Sequence, residues 1–206
     1  MNLPSNRRNS LFLLAFFLIL QVAACTTLPR EGPAEGGFHL RGKMGVVQGG
    51  DSFSANFLWR QDGSRFTMDL WGPLGQGRLQ LTGNGRRLEL REGDGSLISR
   101  GPPDAVMYEH LGWSLPLSVL PQWVRGHPAT NLPATFEVRD EAGRITAFQQ
   151  LDWQVELDRY RRVAGDTGAM GADTETLAGS GLYLPHRVTA RRGEYRVRLA
   201  ISEWRI

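Results

Sequence analysis

The sequence predicts a mainly β protein built as an antiparallel barrel or a strongly curved sheet. Apolar residues alternate with polar residues in many short segments, and turn sequences separate those segments at short intervals. The length of 206 residues, with 41% hydrophobic residues, is sufficient for one domain with a substantial core. Charged residues on the other face of the strands, among them Arg87, Glu89 and Arg196, predict an outer surface that faces water rather than lipid.

Residues 1–24 have the features of a secretory signal peptide. Arg7 and Arg8 precede an unbroken apolar run at 11–20, and small residues follow. The run is too short for a permanent membrane span, which needs about 20 apolar residues. The same two arginines contribute two of the formal net charge of +3. The rest of the chain is therefore nearly neutral, which argues against a nucleic-acid-binding role.

Cys25 is the single cysteine and follows Val22-Ala23-Ala24, a sequence typical of bacterial lipoprotein processing sites. Small residues before the cysteine fit the peptidase, and the thiol accepts lipid through a thioether. An ordinary signal peptide followed by a chance cysteine is the alternative. We expect lipid attachment at Cys25, and Thr26, in place of aspartate, favours the outer membrane. Residues 25–37 then form the lipidated N-terminus and tether of a domain at 38–206.

Six segments of this domain alternate with period two and are predicted strands with one buried face. They are Phe53–Trp59, Phe66–Leu70, Leu79–Leu81, Leu88–Leu90, Trp153–Leu157 and Tyr195–Ile201. The aromatic side chains expected to point inward are Phe53, Phe57, Trp59, Phe66, Trp153 and Tyr195. They form either an ordinary packed core or the wall of a cavity that accepts an apolar ligand.

Two short helices are predicted in the middle of the chain, where the strand pattern stops. The first follows Pro103 and ends at Gly112, and the second runs near 119–125, with Ser118 as its expected N-cap and Pro121 in its first turn. We expect this pair to cover an open face or mouth of the barrel. Residues 164–181 are rich in glycine and acidic residues and predict a surface loop.

Catalytic and metal-binding motifs are not found in the sequence. The four histidines are widely spaced, and there is no Gly-x-Ser-x-Gly elbow, phosphate loop or dinucleotide fingerprint. One cysteine cannot form an internal disulfide or a cysteine-based zinc site. We therefore expect no enzymatic activity, no catalytic residue, no metal and no cofactor other than covalent lipid on Cys25.

An apolar residue is predicted at the tip of a tight turn, Gly72-Pro73-Leu74-Gly75. Asn, Asp or Ser is the usual residue at such a position. Leu74 either folds back onto the core beside Trp71 or is exposed to water at the tip of the turn.

Short motifs spread along the chain occur in a recognisable order. They are the lipobox ending at Cys25, then 38–45, 57–61, 72–75, 111–117 and 122–126, then Trp153-Gln-Val155 with Tyr160, Leu184-Pro185, and Ile201 with Trp204. In this order and spacing the sequence resembles the LolB family, outer-membrane lipoproteins that receive other lipoproteins from a periplasmic carrier. The resemblance covers about 38–206.

The resemblance implies an unclosed antiparallel β-barrel with a short helical lid over a hydrophobic cavity for acyl chains. It also implies a receptor, anchored in the outer membrane at its periplasmic face, that accepts acylated lipoproteins from a LolA-like carrier and inserts them into outer-membrane lipid. Leu74 would be its membrane-transfer residue. Pro121 predicts a shorter or kinked lid helix, and 164–181 looks like an insertion.

We expect a monomer that binds no nucleic acid. The alternative function is that of a structural or assembly-factor lipoprotein that binds a protein partner through its sheet edges.

Overall fold

The computed structural model describes residues 36–165 and 181–206. Cys25 and most of the loop predicted at 164–181 lie outside the described residues. The elements are β1 Phe38–Gln48, β2 Asp51–Asp62, β3 Arg65–Trp71, β4 Leu79–Gly83, β5 Leu88–Glu92, β6 Leu97–Gly101, α1 Pro103–Leu111, α2 Leu120–Val124, β7 Thr135–Arg139, β8 Ile145–Gln150, β9 Trp153–Asp158, β10 Arg161–Val163, β11 Leu182–Leu184, β12 Arg187–Arg192 and β13 Tyr195–Arg205. Neither helix in this part of the chain is long and apolar enough to cross a membrane.

Eleven of these strands form one antiparallel sheet in the order β6-β5-β4-β3-β2-β1-β13-β12-β9-β8-β7. Its edges, β6 and β7, do not pair with each other within 36–165 and 181–206, so the barrel-like sheet is not closed. This confirms the predicted mainly β architecture and its unclosed form. β10 and β11 form a separate two-stranded sheet.

Alternation along the strands separates a buried inner face from an outer face that carries charge. In β13, Val197, Leu199 and Ile201 are buried, whereas Arg196 and Arg198, which alternate with them, are exposed. The buried side chains of the sheet belong to one hydrophobic cluster that also includes residues of both helices. Burial of this apolar face against the helices is the main favourable contribution to folding.

The chain between β6 and β7, residues 102–134, contains both helices and is called the lid segment below. α1 begins at Pro103, where the fixed φ of proline suits the first turn, and its C-cap Gly112 has a φ of 74°. The apolar side chains of α2, including Trp123 and Val124, are fully buried in the cluster. The lid segment therefore covers the inner face of the sheet.

The sheet has two ends, because successive antiparallel strands run in opposite directions and their connecting turns alternate between the two ends. The apical end carries the turns β1–β2, β5–β6, β8–β9 and β12–β13 and the loop β3–β4. The basal end carries the turns β2–β3, β4–β5 and β7–β8 and the start of β1. The chain that precedes Gly36 thus joins the domain at its basal end.

All six predicted strands are present, and both predicted helices lie close to their expected positions. The expected N-cap of α2 is wrong: Val119 precedes the helix, and no side chain caps its first turn. Pro121 does lie in the first turn, and α2 is only five residues long. The sequence pattern did not reveal β6, whose side chains are mostly exposed because it is an edge strand.

Candidate functional site

The β3–β4 loop displays Leu74 at the apical end with 85% of its surface exposed. Two backbone hydrogen bonds close the loop: the Gly72 N–H donates to the Gln76 carbonyl at 2.8 Å, and the Gly75 N–H donates to the Gly72 carbonyl at 3.0 Å. Gly75 and Gly77 have φ angles of 80° and 62°. This left-handed backbone conformation is unfavourable for a residue that carries a side chain. The backbone thus holds Leu74 in water without burying it.

Trp71, at the base of this loop, does not receive Leu74. The Arg78 guanidinium lies over its ring, 5.7 Å from the centroid, in a cation–π arrangement. The Asn56 side-chain amide also donates to the Gly72 carbonyl at 3.3 Å and ties the loop to β2. Leu74 is therefore exposed at the tip of the loop and does not fold back onto the core beside Trp71.

Four of the six candidate aromatic residues lie deep in the core. Phe57, Trp59 and Trp153 are each 1% exposed, and Phe66 is also buried. Trp153 contacts Trp123 of the lid segment edge-on, with ring centroids 6.3 Å apart. The four side chains and the buried residues of the lid segment belong to one hydrophobic cluster, so in this conformation the space inside the sheet is filled.

The other two candidates, Phe53 and Tyr195, lie at the mouth of the sheet. They line an apical cavity of about 800 Å³ together with Val46, Leu111 and Trp113 of the apolar lining. Glycines and charged residues of the β1–β2 and β12–β13 turns complete its wall. The cavity therefore opens at the same end of the sheet that carries Leu74.

Two contacts join the lid segment to the sheet at the apical cavity. The Ser114 N–H donates to the Tyr195 hydroxyl oxygen at 2.9 Å, and the rings of Phe53 and Trp113 are 5.7 Å apart. Burial raises the pKa of Tyr195 to about 12, because the charged phenolate loses hydration there. Tyr195 thus remains a neutral phenol at physiological pH.

Gln150 is a residue of the site that the sequence pattern did not single out. It is 2% exposed, and its Oε1 accepts hydrogen bonds from Trp123 Nε1 and from the Ala129 N–H, both at 2.9 Å. Its Nε2 donates to the carbonyls of Ala129 and Leu132 at 2.9 Å and 3.1 Å. The sequence feature that could have revealed this role is the position of Gln150 two residues after Phe148, on the inner face of β8. A polar side chain buried there requires hydrogen-bond partners.

A second cavity, of about 490 Å³, has a different character. Its lining combines the basic side chains of Arg41, Lys43 and Arg187 with His186 and with apolar residues that include Trp71 and Ile201. His186 Nδ1 lies 2.9 Å from the Ile201 carbonyl, whereas its buried Nε2 has no hydrogen-bond partner in the described part of the chain. No cluster of three or more metal-ligating side chains occurs among residues 36–165 and 181–206.

Comparison with known proteins identifies the family. A solved DUF1329 family protein from Desulfovibrio piger is similar with a TM-score of 0.47 at 9% identity, over 82% of this chain and 85% of that one. The outer-membrane lipoprotein LolB of Bordetella petrii is 34% identical over 154 residues, 71% of this chain and 77% of that protein. The corresponding protein of Chromohalobacter salexigens is 34% identical over 167 residues, 81% of this chain and 70% of that protein. The family model for outer membrane lipoprotein LolB matches residues 37–204. This chain therefore belongs to the LolB family.

Proposed function

We propose that this protein is a receptor of the outer membrane that accepts acylated lipoproteins from a LolA-like periplasmic carrier and inserts them into the membrane. Membership of the LolB family and the names of its relatives support the outer-membrane location. The observation that carries the mechanism is Leu74, which is 85% exposed on a loop closed by its own backbone hydrogen bonds.

The free energy of exposed acyl chains explains why a receptor is needed. Each CH₂ group exposed to water costs about 0.8 kcal/mol, so two or three long chains cost tens of kcal/mol. The cargo must therefore pass from one apolar surface directly to another. In this proposal the signal peptide ends at residue 24, Cys25 carries the lipid anchor, residues 25–37 form the tether, and residues 38–206 receive the cargo.

The apical cavity is the proposed entry point for the acyl chains. Phe53, Trp113 and Tyr195 line it, and the buried cluster containing Phe57 and Trp153 lies on the inner face of the same sheet. Because the lid segment fills this inner face, deeper binding requires its side chains to withdraw. Phe57, Trp59, Phe66 and Trp153, now members of the shared buried cluster, would then become walls for the chains.

Leu74 would act in the second step, when the cargo leaves. A leucine side chain gains roughly 1.5–3 kcal/mol on leaving water, and an exposed leucine gains it only when it reaches a bilayer or an acyl chain. The loop therefore contacts the membrane surface while the chains pass from the receptor into lipid. The proposal involves a monomer and no cofactor beyond the lipid on Cys25, and it requires no catalysis.

Site-specific photocrosslinking tests the receptor function. A photoreactive residue replaces Phe53 in the apical cavity, Val138 on the exposed edge strand β7, or Arg86 in a basal turn, and an acylated lipoprotein is supplied as its complex with the carrier. We expect cargo crosslinks from position 53 and background levels from position 86. Crosslinks confined to position 138 would instead favour a partner bound along a sheet edge and would contradict the receptor mechanism.

A further inference from the structure

Three exposed apolar residues accompany Leu74 at the apical end of the sheet. Leu97 begins the edge strand β6, Phe136 lies in the other edge strand β7, and Leu151 lies in the β8–β9 turn. Their exposed fractions are 48%, 79% and 43%. These four residues, called the apical rim below, extend from one edge of the open sheet to the other.

Phe136 combines an exposed side chain with a strained backbone conformation. The register of β7 against β8 is interrupted between Thr135 and Val138, and Phe136 has a φ of 52°. Glycine is the residue that normally occupies a left-handed position in such a bulge. Burial of the Phe136 side chain offsets little of this backbone strain energy, because most of the side chain is exposed to water.

Leu151, in the β8–β9 turn, is likewise a partly exposed apolar residue with a left-handed backbone conformation. Leu151 and Asp152 have φ angles of 52° and 61°, as in a two-residue hairpin turn whose preferred sequence is Asn-Gly. A leucine at the first of these positions is unfavourable for the backbone and leaves an apolar side chain partly exposed. Strained residues that persist in a fold are candidates for a functional role.

The length of the tether is compatible with contact between this end and the membrane that holds the anchor. Eleven residues lead from Cys25 to Gly36, and a chain of that length spans at most about 40 Å. The eleven residues of β1, which begins near Gly36 at the basal end, extend about 36 Å towards the apical end. A lipid on Cys25 thus permits the apical end to reach the bilayer.

We propose that the apical rim contacts the phospholipid bilayer, with Phe136 and Leu151 acting as membrane contacts beside Leu74. This proposal rests on the membrane role proposed above for Leu74. A bilayer is the favoured partner because separate apolar tips on different connections gain free energy from insertion without requiring a complementary surface. A protein partner would require a continuous, well-packed patch.

Fluorescence quenching in vesicles tests this contact without cargo or carrier. The mature protein, acylated at its only native cysteine, is reconstituted in vesicles of phosphatidylethanolamine and phosphatidylglycerol. Single cysteines introduced as Leu74→Cys, Phe136→Cys and Leu151→Cys carry an environment-sensitive dye, and Arg86→Cys in the basal β4–β5 turn is the matched control. We expect nitroxide-labelled lipid to quench the dye at positions 74, 136 and 151 and to spare it at position 86.

The outcomes distinguish this surface from the receptor function. Quenching at 74 without quenching at 136 and 151, or equal quenching at 86, would overturn the proposed rim. If the dyes at positions 136 and 151 respond only after the carrier protein is added in a second measurement, these residues contact a protein partner, and the proposed membrane contact is also overturned. Loss of cargo transfer with normal quenching would contradict the receptor function alone.

A second variant separates strain from contact. Phe136→Gly removes the side chain and relieves the left-handed backbone, so we expect a higher melting temperature together with several-fold slower delivery of lipoproteins into vesicles. A lower melting temperature or unchanged delivery would contradict the role of Phe136.

Discussion

The Nε1 atom of Trp123 donates a hydrogen bond of 2.9 Å to Oε1 of Gln150, within the core and across 27 positions of the sequence. This contact joins the lid segment to β8, a strand near one edge of the sheet. The same amide also satisfies backbone groups of Ala129 and Leu132. One side chain on the sheet thus holds three positions of the lid segment.

Gln150→Leu should therefore destabilise the protein. A buried donor or acceptor without a partner costs about 1–3 kcal/mol, and several groups lose their partner here, so we expect the free energy of unfolding to fall by at least about 2 kcal/mol. Urea denaturation measures this change. Gln149→Leu, at the neighbouring half-buried position, is the control and should change stability by less than about 0.5 kcal/mol. Equal losses in the two variants would contradict the role assigned to Gln150.

Leu74→Glu should separate stability from function. The side chain is exposed, so we expect the free energy of unfolding to change by less than about 0.5 kcal/mol while delivery of lipoproteins into membranes slows. Leu70→Ala, in the preceding strand and 1% exposed, is the control and should cost about 2–5 kcal/mol. Thermal melts and a membrane-transfer assay provide the two measurements. Normal delivery by the Leu74→Glu variant would exclude the transfer role.

The mature N-terminus should be a lipid-modified Cys25. Mass spectrometry of the protein purified from membranes is expected to detect a diacylglyceryl cysteine as the first residue. Cys25→Ala behind an ordinary secretory signal should release a folded domain into the periplasm, because within residues 36–165 and 181–206 the strands and the lid segment form a buried core cluster that begins at Phe38. Cleavage at another site, or an unmodified cysteine, would disprove the anchor.

A fluorescent fatty-acyl probe should bind at the apical cavity. Phe53→Asp is expected to weaken this binding with little loss of stability, because Phe53 is 37% exposed and lines the mouth. Phe57→Asp places a carboxylate in the core and should weaken both binding and folding. Fluorescence titration and thermal melts distinguish the two effects. If Phe53→Asp binds the probe as tightly as the parent protein does, the entry point lies elsewhere.

Stability should fall at alkaline pH. Burial raises the pKa of Tyr160 and of Tyr195 to about 12, whereas the unfolded chain releases these protons near pH 10. The unfolded state therefore binds fewer protons between about pH 10 and 12, and the free energy of unfolding decreases as pH rises through that window. Tyr160→Phe should make this dependence shallower, although it also removes the hydrogen bond to the Ile145 carbonyl. Denaturation at a series of pH values tests the slope.

Local sequence features predicted much of the fold because they act over a few residues. Alternation identified β2, β9 and β13, whose inner residues are buried and whose outer residues are more exposed. Proline and glycine located α1 correctly, since Pro103 begins it and Gly112 ends it. The turn around Leu74 was predictable for the same reason: its glycines and proline determine its geometry within a few residues.

The apical cavity was not predictable from local patterns. Its wall depends on contacts such as that of Ser114 with Tyr195, which are 81 positions apart. Gln150 acquires its role only when the lid segment reaches β8, and Phe136 occupies a backbone conformation that its residue type disfavours. Long-range packing decides each of these features, and periodicity carries no information about it.

The pairing of β1 with β13 at the centre of the sheet also determines when folding can be completed. These two strands contain the first and last residues of the sheet, so the pairs His39–Arg205 and Val47–Arg196 connect regions of the chain that emerge far apart in time during synthesis. Each half of the sheet can form its own hairpins early, but joining them requires closure of a very large loop. Such nonlocal pairing typically folds in milliseconds to seconds. During that interval the edge of β1 that later pairs with β13 is open to aggregation.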